Sequence, residues 1–297
     1  MPRSQTVLYR VFSVAVVVVC VVLFGCPPAP PPPTPSEHPT VDQAEVIVNL
    51  QIDAEGDDAQ GLANVVEELG RRNIRTTVFV TADYANKNAL MMHDLYVVGF
   101  EVALHGYYTG EQLASMTYAD QLDLLTRAKN AVEGCQPCGM YQPVAGFRPQ
   151  YFSQNADTYR VLDELKLTYN CGFKAGQIPI EGYEGLRTPF SVEEYSFTGV
   201  PFTVVEYNGQ NVYLCDIACA LKEDLQLTAT QWSEVLQKGM AQAIANKEPL
   251  VAVLHGWYTG DQETYDYWQP FVDFLDALQG RAAFVTTQEL VNLYTSE

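Results

Sequence analysis

Four residues able to do chemistry each stand directly after an apolar run. Asp53 follows Ile52, His105 follows Leu104, Arg148 follows Phe147 and His255 follows Leu254. In a parallel α/β fold the loops after the strands converge at one edge, so side chains at these positions are brought face to face. An acid, two imidazoles and a guanidinium in one place suit metal-assisted hydrolysis, which needs a ligand, a base, an acid and a group that tunes them.

The elements that must carry these residues follow from hydrophobic period. Val46 to Ile52 is β-branched and apolar, as a buried parallel strand is, and it stops at the polar run Asp53 to Asp58. Leu62, Val65, Val66 and Leu69 repeat at helical spacing, and Thr76 to Val80 reads as the next strand. Phe100 to Leu104 predicts a strand. A helix then begins at Thr117, capped with Asp120, with Leu122, Leu125, Ala128 and Val132 inward. Val144 to Phe147 predicts a short strand, and Asn155 the cap of a helix running to Leu165. The stretch from about Gln177 to Glu223 has no clear period. Leu250 to Leu254 predicts a strand, Pro270 to Leu278 a helix, Ala283 to Val285 a strand, and Thr286 with Glu289 the capping box of a last helix. Strand and helix in turn imply a parallel α/β sheet or barrel in a single domain over residues 43–297.

Ahead of that domain, residues 1–25 read as an export signal. Arg3 and Arg10 precede an apolar run, Val11 to Phe24, that is too short to cross a bilayer comfortably. Leu23-Phe24-Gly25-Cys26 resembles the bacterial lipobox, which makes Cys26 the first mature residue and the site of lipid attachment. Residues 26–42 then hold a proline-rich spacer, Pro27 to Pro35, extended and without internal hydrogen bonds. The alternative is an uncleaved N-terminal anchor. The expectation is a lipoprotein on the extracytoplasmic side of the cell envelope.

A net charge of −19 and a pI near 4.5 exclude nucleic acid as a partner, because phosphate binding needs Lys and Arg patches. In an exported chain Cys135, Cys138, Cys171, Cys215 and Cys219 predict disulfides with one thiol left over, in a pairing the sequence does not give. Zinc is the other use open to four of them.

From about Val46 to Leu293 the order and flanks of these motifs resemble the polysaccharide deacetylase family, the NodB-homology domain of carbohydrate esterases. Gln51-Ile52-Asp53-Ala54-Glu55 stands where that family has Thr-Phe-Asp-Asp-Gly, and Ile74 to Val80 where it has Val-Lys-Ala-Thr-Phe-Phe-Val. Gly99 to His105 matches its histidine box, Gly146 to Tyr151 its Arg-Pro-Pro-Tyr motif, and Leu254-His255 its late Leu-His motif. The resemblance implies a deformed (β/α) barrel that removes acetyl groups from an N-acetylated glycan with a divalent metal, zinc in the first place. It implies Asp53 as the base, His255 as the acid, Arg148 as the partner of Asp53, and the backbone N–H of Tyr151 as an oxyanion donor.

Two departures bear on the metal. The family's second histidine falls at Thr109, and Ala54 occupies the usual metal-binding aspartate's place. The ligands left are His105, Glu55 and, behind it, Asp57, with Glu111 as a further oxygen donor. A barrel that binds glycan without cutting it is therefore the rival to the hydrolase. Finally, Leu104 to Gln112 is echoed by Leu254 to Gln262, and Tyr107, Tyr108, Trp257 and Tyr258 in these loops offer aromatic platforms for sugar rings.

Overall fold

The computed structural model describes residues 38–57, 59–134 and 143–295, which belong to one compact unit. The expected signal, Cys26, the proline spacer, Cys135 and Cys138 lie outside the described residues. Among the described residues no helix is long and apolar enough to cross a membrane.

Strand β1 (Val46–Ala54) runs two residues past its predicted end and is buried except at Ile47. After it come α1 (Ala59–Arg71), β2 (Thr77–Val80), α2 (Ala82–Lys87), α3 (Ala89–Val97), β3 (Glu101–Leu104), α4 (Tyr118–Gly134), β4 (Gly146–Phe147), α5 (Ala156–Glu164) and β5 (Tyr169–Lys174). The aperiodic stretch holds β6 (Phe190–Ser191), β7 (Thr198–Phe202), β8 (Val204–Tyr207), β9 (Gln210–Tyr213) and α6 (Asp216–Leu221). The chain ends with α7 (Ala229–Asn246), β10 (Leu250–His255), α8 (Gly256–Thr259), α9 (Trp268–Leu278), β11 (Ala282–Phe284) and α10 (Thr287–Thr295). The predicted caps form. The Asp120 N–H donates to the Thr117 hydroxyl, Asn155 closes a capping box with Thr158, and Thr286 and Glu289 bond reciprocally. Helix α7 was not predicted, although Thr228 and Gln231 box its start and Trp232, Val235, Leu236 and Met240 bury one face.

The main sheet has the order β10-β1-β2-β3-β4-β5-β7-β6, with β11 also on β1, and it is parallel except where β6 meets β7. It curls until its sides meet. The Thr203 N–H donates to Val251 O at 3.0 Å, and the Val251 N–H donates to the Thr203 hydroxyl at 2.9 Å. This incomplete barrel is the fold that was expected.

Alternation along the strands sorts two interiors. On β1, Val48, Leu50, Ile52 and Ala54 join the core under the helices, while Asn49, Gln51 and Asp53 point the other way. Strand β10 does the same, with Val251 and Val253 in a second cluster beside Phe79, Tyr169 and Phe202, inside the barrel. Asn49 and Gln51 are fully buried there and survive by bonding, Gln51 Nε2 to Asn49 Oδ1 at 2.6 Å and Asn49 Nδ2 to Val285 O at 3.0 Å.

Candidate active site

The four strand-end residues converge. Asp53 and His255 are paired positions on β1 and β10, Leu104 pairs with Phe147, and the backbone N–H groups of His105 and Arg148 continue the ladder to Val80 O and Leu104 O, both at 2.9 Å. Asp53, His105, Arg148 and His255 are all buried. Arg148 Nε lies 2.9 Å from Asp53 Oδ1, and Asp53 Oδ2 lies 3.6 Å from His105 Nε2 and 3.5 Å from His255 Nε2. The guanidinium lies over the Phe79 ring at 3.9 Å and donates to Gln51 Oε1 at 3.0 Å, so the barrel's interior polar chain ends on it. Burial works to raise the pKa of Asp53. Arg148 first, then both imidazoles, overcome that and hold the carboxyl below its ordinary value.

Each histidine is fixed by its other nitrogen. His105 Nδ1 bonds Arg148 O at 2.9 Å, a carbonyl that only accepts, so Nδ1 carries the hydrogen and Nε2 faces Asp53. His255 Nδ1 bonds Asp216 Oδ1 at 2.7 Å. Asp216, at the start of α6 and fully buried, was not read from the sequence because it lies in the aperiodic stretch. Its carboxylate also accepts the backbone N–H groups of Ile217 and His255 and the Thr259 hydroxyl, each at 2.7 Å. Burial works to lower the pKa of His255. The charge and hydrogen bond of Asp216, with Asp53 behind them, raise it above its ordinary value.

These groups open on a cavity of about 890 Å³ that Glu55, Asp57, Thr109, Tyr151 and Trp257 also line. Tyr151 and Phe152 sit at φ 54° and 57°, left-handed backbone that costs a non-glycine residue about 1–2 kcal/mol each, in a short turn that swings Tyr151 into the lining. Tyr107, Tyr108 and Tyr258 are not among the cavity-lining residues, so of the four aromatics expected as platforms Trp257 alone takes that position.

The echoed loops fold differently. After β3, Gly106 takes φ +94°, a Cβ there would run into the Glu111 carboxylate, and that carboxylate accepts the N–H groups of Tyr107 and Tyr108. Gln150 ties the same loop, donating to His105 O and Tyr108 O and accepting from Gly110 N–H. After β10 the same pattern forms helix α8 instead, packed so closely on α1 that a Cβ on Gly256 would lie 2.9 Å from the Leu62 backbone.

The structure does not bring His105, Glu55 and Asp57 into a metal site. Asp57 is exposed and ion-paired with Lys87 at 2.8 Å, Thr109 uses its hydroxyl to accept the Gly56 N–H at 3.1 Å, and Glu111 is committed to its loop. Among the described residues the one group of three donors within 4.8 Å of one another is Cys215, Asp216 and His255. Both oxygens of Asp216 and Nδ1 of His255 are already bonded, and burial holds the Cys215 thiol far above its ordinary pKa, so this trio is poor in free ligand atoms. His105 Nε2 is a competent ligand by itself and Glu55 lines the same cavity, but among the described residues the expected ligands do not gather within 4.8 Å of one another.

The disulfide expectation finds no support among the described residues. Cys171, Cys215 and Cys219 are free and buried, and burial pushes Cys219 up to about 12, so little thiolate forms to attack a partner.

Comparison with known proteins places this geometry. No curated protein sequence matches the chain. A Mycobacterium smegmatis structure designated a polysaccharide deacetylase superposes with a TM-score of 0.69 at 15% identity, covering 89% of this chain and 95% of that one. PuuE allantoinase superposes at 0.70 and 13% identity, over 91% and 97% of the two chains. BA3943 of Bacillus anthracis, described as a pseudoenzyme of carbohydrate esterase family 4, superposes at 0.53 and 13% identity, over 82% and 65%. Identities this low establish the fold. In sequence, residues 42–170 match the polysaccharide deacetylase family model, so the resemblance read from the motifs is shared by that part of the chain.

Proposed function

We propose that the protein is a hydrolase that removes N-acetyl groups from a cell-surface or environmental polysaccharide. The observation that carries this reading is Asp53, a carboxylate kept ionised by Arg148 with the Nε2 atoms of two histidines within 3.6 Å of its free oxygen, on the wall of an 890 Å³ cavity. Asp53 takes a proton from the water that attacks the amide carbonyl. The backbone N–H of Tyr151 supports the oxyanion, and His255, held by Asp216, returns a proton to the departing amine as the C–N bond breaks.

The family resemblance implies zinc, and of the expected ligands His105 alone presents a free nitrogen to the cavity. No step above is routed through a metal. The test is acetate release from chitin oligomers and peptidoglycan by the full chain, with and without added zinc, cobalt, nickel or manganese. Release supports the hydrolase; binding of these glycans with no release under any condition overturns it in favour of the silent barrel, whose supporting observation is Thr109 in place of an imidazole. The proposal includes an extracytoplasmic location through a lipid on Cys26, supported by the sequence of residues 1–42.

A further inference from the structure

Acidic residues outnumber Lys and Arg by 36 to 17 in this chain, so a cation without an acidic partner needs an explanation. Lys174 is one. It ends β5, on the same edge of the barrel as Asp53, and lines the same cavity, half-buried. Among the described residues its Nζ has no carboxylate or hydrogen-bond partner; it rests over the rings of Phe152 at 4.3 Å and Tyr213 at 4.5 Å. The nearest titratable neighbours do not neutralise it. Lys222 lines the cavity beside it with a like charge, and the buried Cys215 thiol stays protonated. Among the described residues the Lys222 ammonium pairs with the exposed Asp224 alone, at 3.5 Å.

Burial and then repulsion by Lys222 both lower the pKa of Lys174, so folding by itself gains little from placing this charge here. An anion in the cavity would reverse both effects. We propose that Lys174, with Lys222, forms a subsite for the carboxylate of an acidic N-acetylated glycan, whose sugar ring lies on the wall made by Phe152 and Tyr213. This rests on the deacetylase reading and narrows its substrate to glycans that carry a carboxylate, as a lactyl ether or as a uronic acid.

The experiment is calorimetric binding to the full chain, with acetate release beside it, using three probes: neutral chitin oligomers, peptidoglycan glycan strands bearing lactyl carboxylates, and unsulfated oligosaccharides alternating N-acetylated sugar with uronic acid. One or both acidic probes should bind about tenfold or more tighter than chitin at low salt, with the advantage shrinking as salt screens it. Which acidic probe wins distinguishes the lactyl from the uronate source. Lys174→Met, which keeps the apolar stem, should reduce the acidic-to-neutral ratio about tenfold and Lys174→Arg should keep it; Lys222→Met should reduce it less. Equal binding of all three probes by the wild type, or a ratio that Lys174→Met leaves unmoved, overturns the subsite. Acidic preference without acetate release sinks the hydrolase and leaves the subsite standing, whereas release from acidic and neutral glycans alike does the opposite.

Discussion

Asp53 and His255 are paired positions on adjacent parallel strands, and their side chains meet 3.5 Å apart inside the barrel. The proposed base and acid are therefore locked by backbone register, and each has its own support: Arg148 for Asp53, Asp216 for His255.

Replacing Asp53 with Asn should lower acetate release about 10²–10⁴-fold, the usual worth of a general base. It should also leave the Arg148 guanidinium buried without a counter-charge, at a cost of about 3–5 kcal/mol. Denaturant unfolding beside the kinetic assay reads both. A variant as stable as the wild type would show that the ion pair contributes little.

Asp216→Asn removes the charge that raises the pKa of His255 and the acceptor that fixes its ring. The alkaline limb of the pH–rate profile should move to lower pH and kcat should fall, with KM changing less. An unmoved limb would take His255 out of the role of acid.

The pH dependence of stability follows from the two shifts. Asp53 is depressed, so its contribution is present above the ordinary carboxylate pKa and lost as pH falls through the lower folded value. His255 is raised, so its contribution is present below the ordinary imidazole value near 6.5 and lost as pH rises through the folded value. Melting temperature should therefore be highest between the ordinary carboxylate value and the ordinary imidazole value and fall beyond them toward the folded-state values, whereas the pH–rate profile should be a somewhat wider bell bounded by the folded-state values.

Thr109→His tests the metal departure. The Thr109 hydroxyl meets the loop carrying Glu55 and Asp57, on the lining of the cavity that holds His105. An imidazole there should raise zinc affinity at least tenfold by calorimetry over a wild type that binds it weakly. Stoichiometric, tight zinc in the wild type would show that the cavity assembles a ligand set on loading.

Cys26→Ser should release the protein from membranes into the soluble fraction after export. Retention of the variant through an intact N-terminus would favour the uncleaved anchor.

What was legible in the sequence is what local chemistry decides. Asp53, His105, Arg148 and His255 could be placed because each follows a run whose apolar period marks a parallel strand, and parallel strand ends converge. Asp216 was hidden because the antiparallel hairpin of β8 and β9 interrupts the βα rhythm ahead of it, so nothing local marks it as a strand-end residue. The commitment of Asp57 to Lys87 is likewise tertiary, since α2 supplies the lysine from 30 residues away. The echoed loops make the same point. His-Gly-aromatic-Tyr-Thr-Gly-acid-Gln becomes a tied loop beside Gln150 and a helix beside α1, because the neighbours differ and the residues barely do.

The link between Thr203 and Val251 carries one more consequence. Along its paired strands the barrel wall is stitched by amide and carbonyl groups, which every non-proline residue supplies, so drift in sequence leaves that stitching intact. At the seam the Val251 N–H instead donates to a side-chain hydroxyl, between the backbone bonds from Thr203 N–H to Val251 O and from Val253 N–H to Leu214 O. That hydroxyl bond depends on the identity of a single amino acid, and a change from threonine to valine, nearly the same in shape, would leave the buried Val251 N–H without its acceptor on the strand that delivers His255, without touching any group that takes part in the reaction.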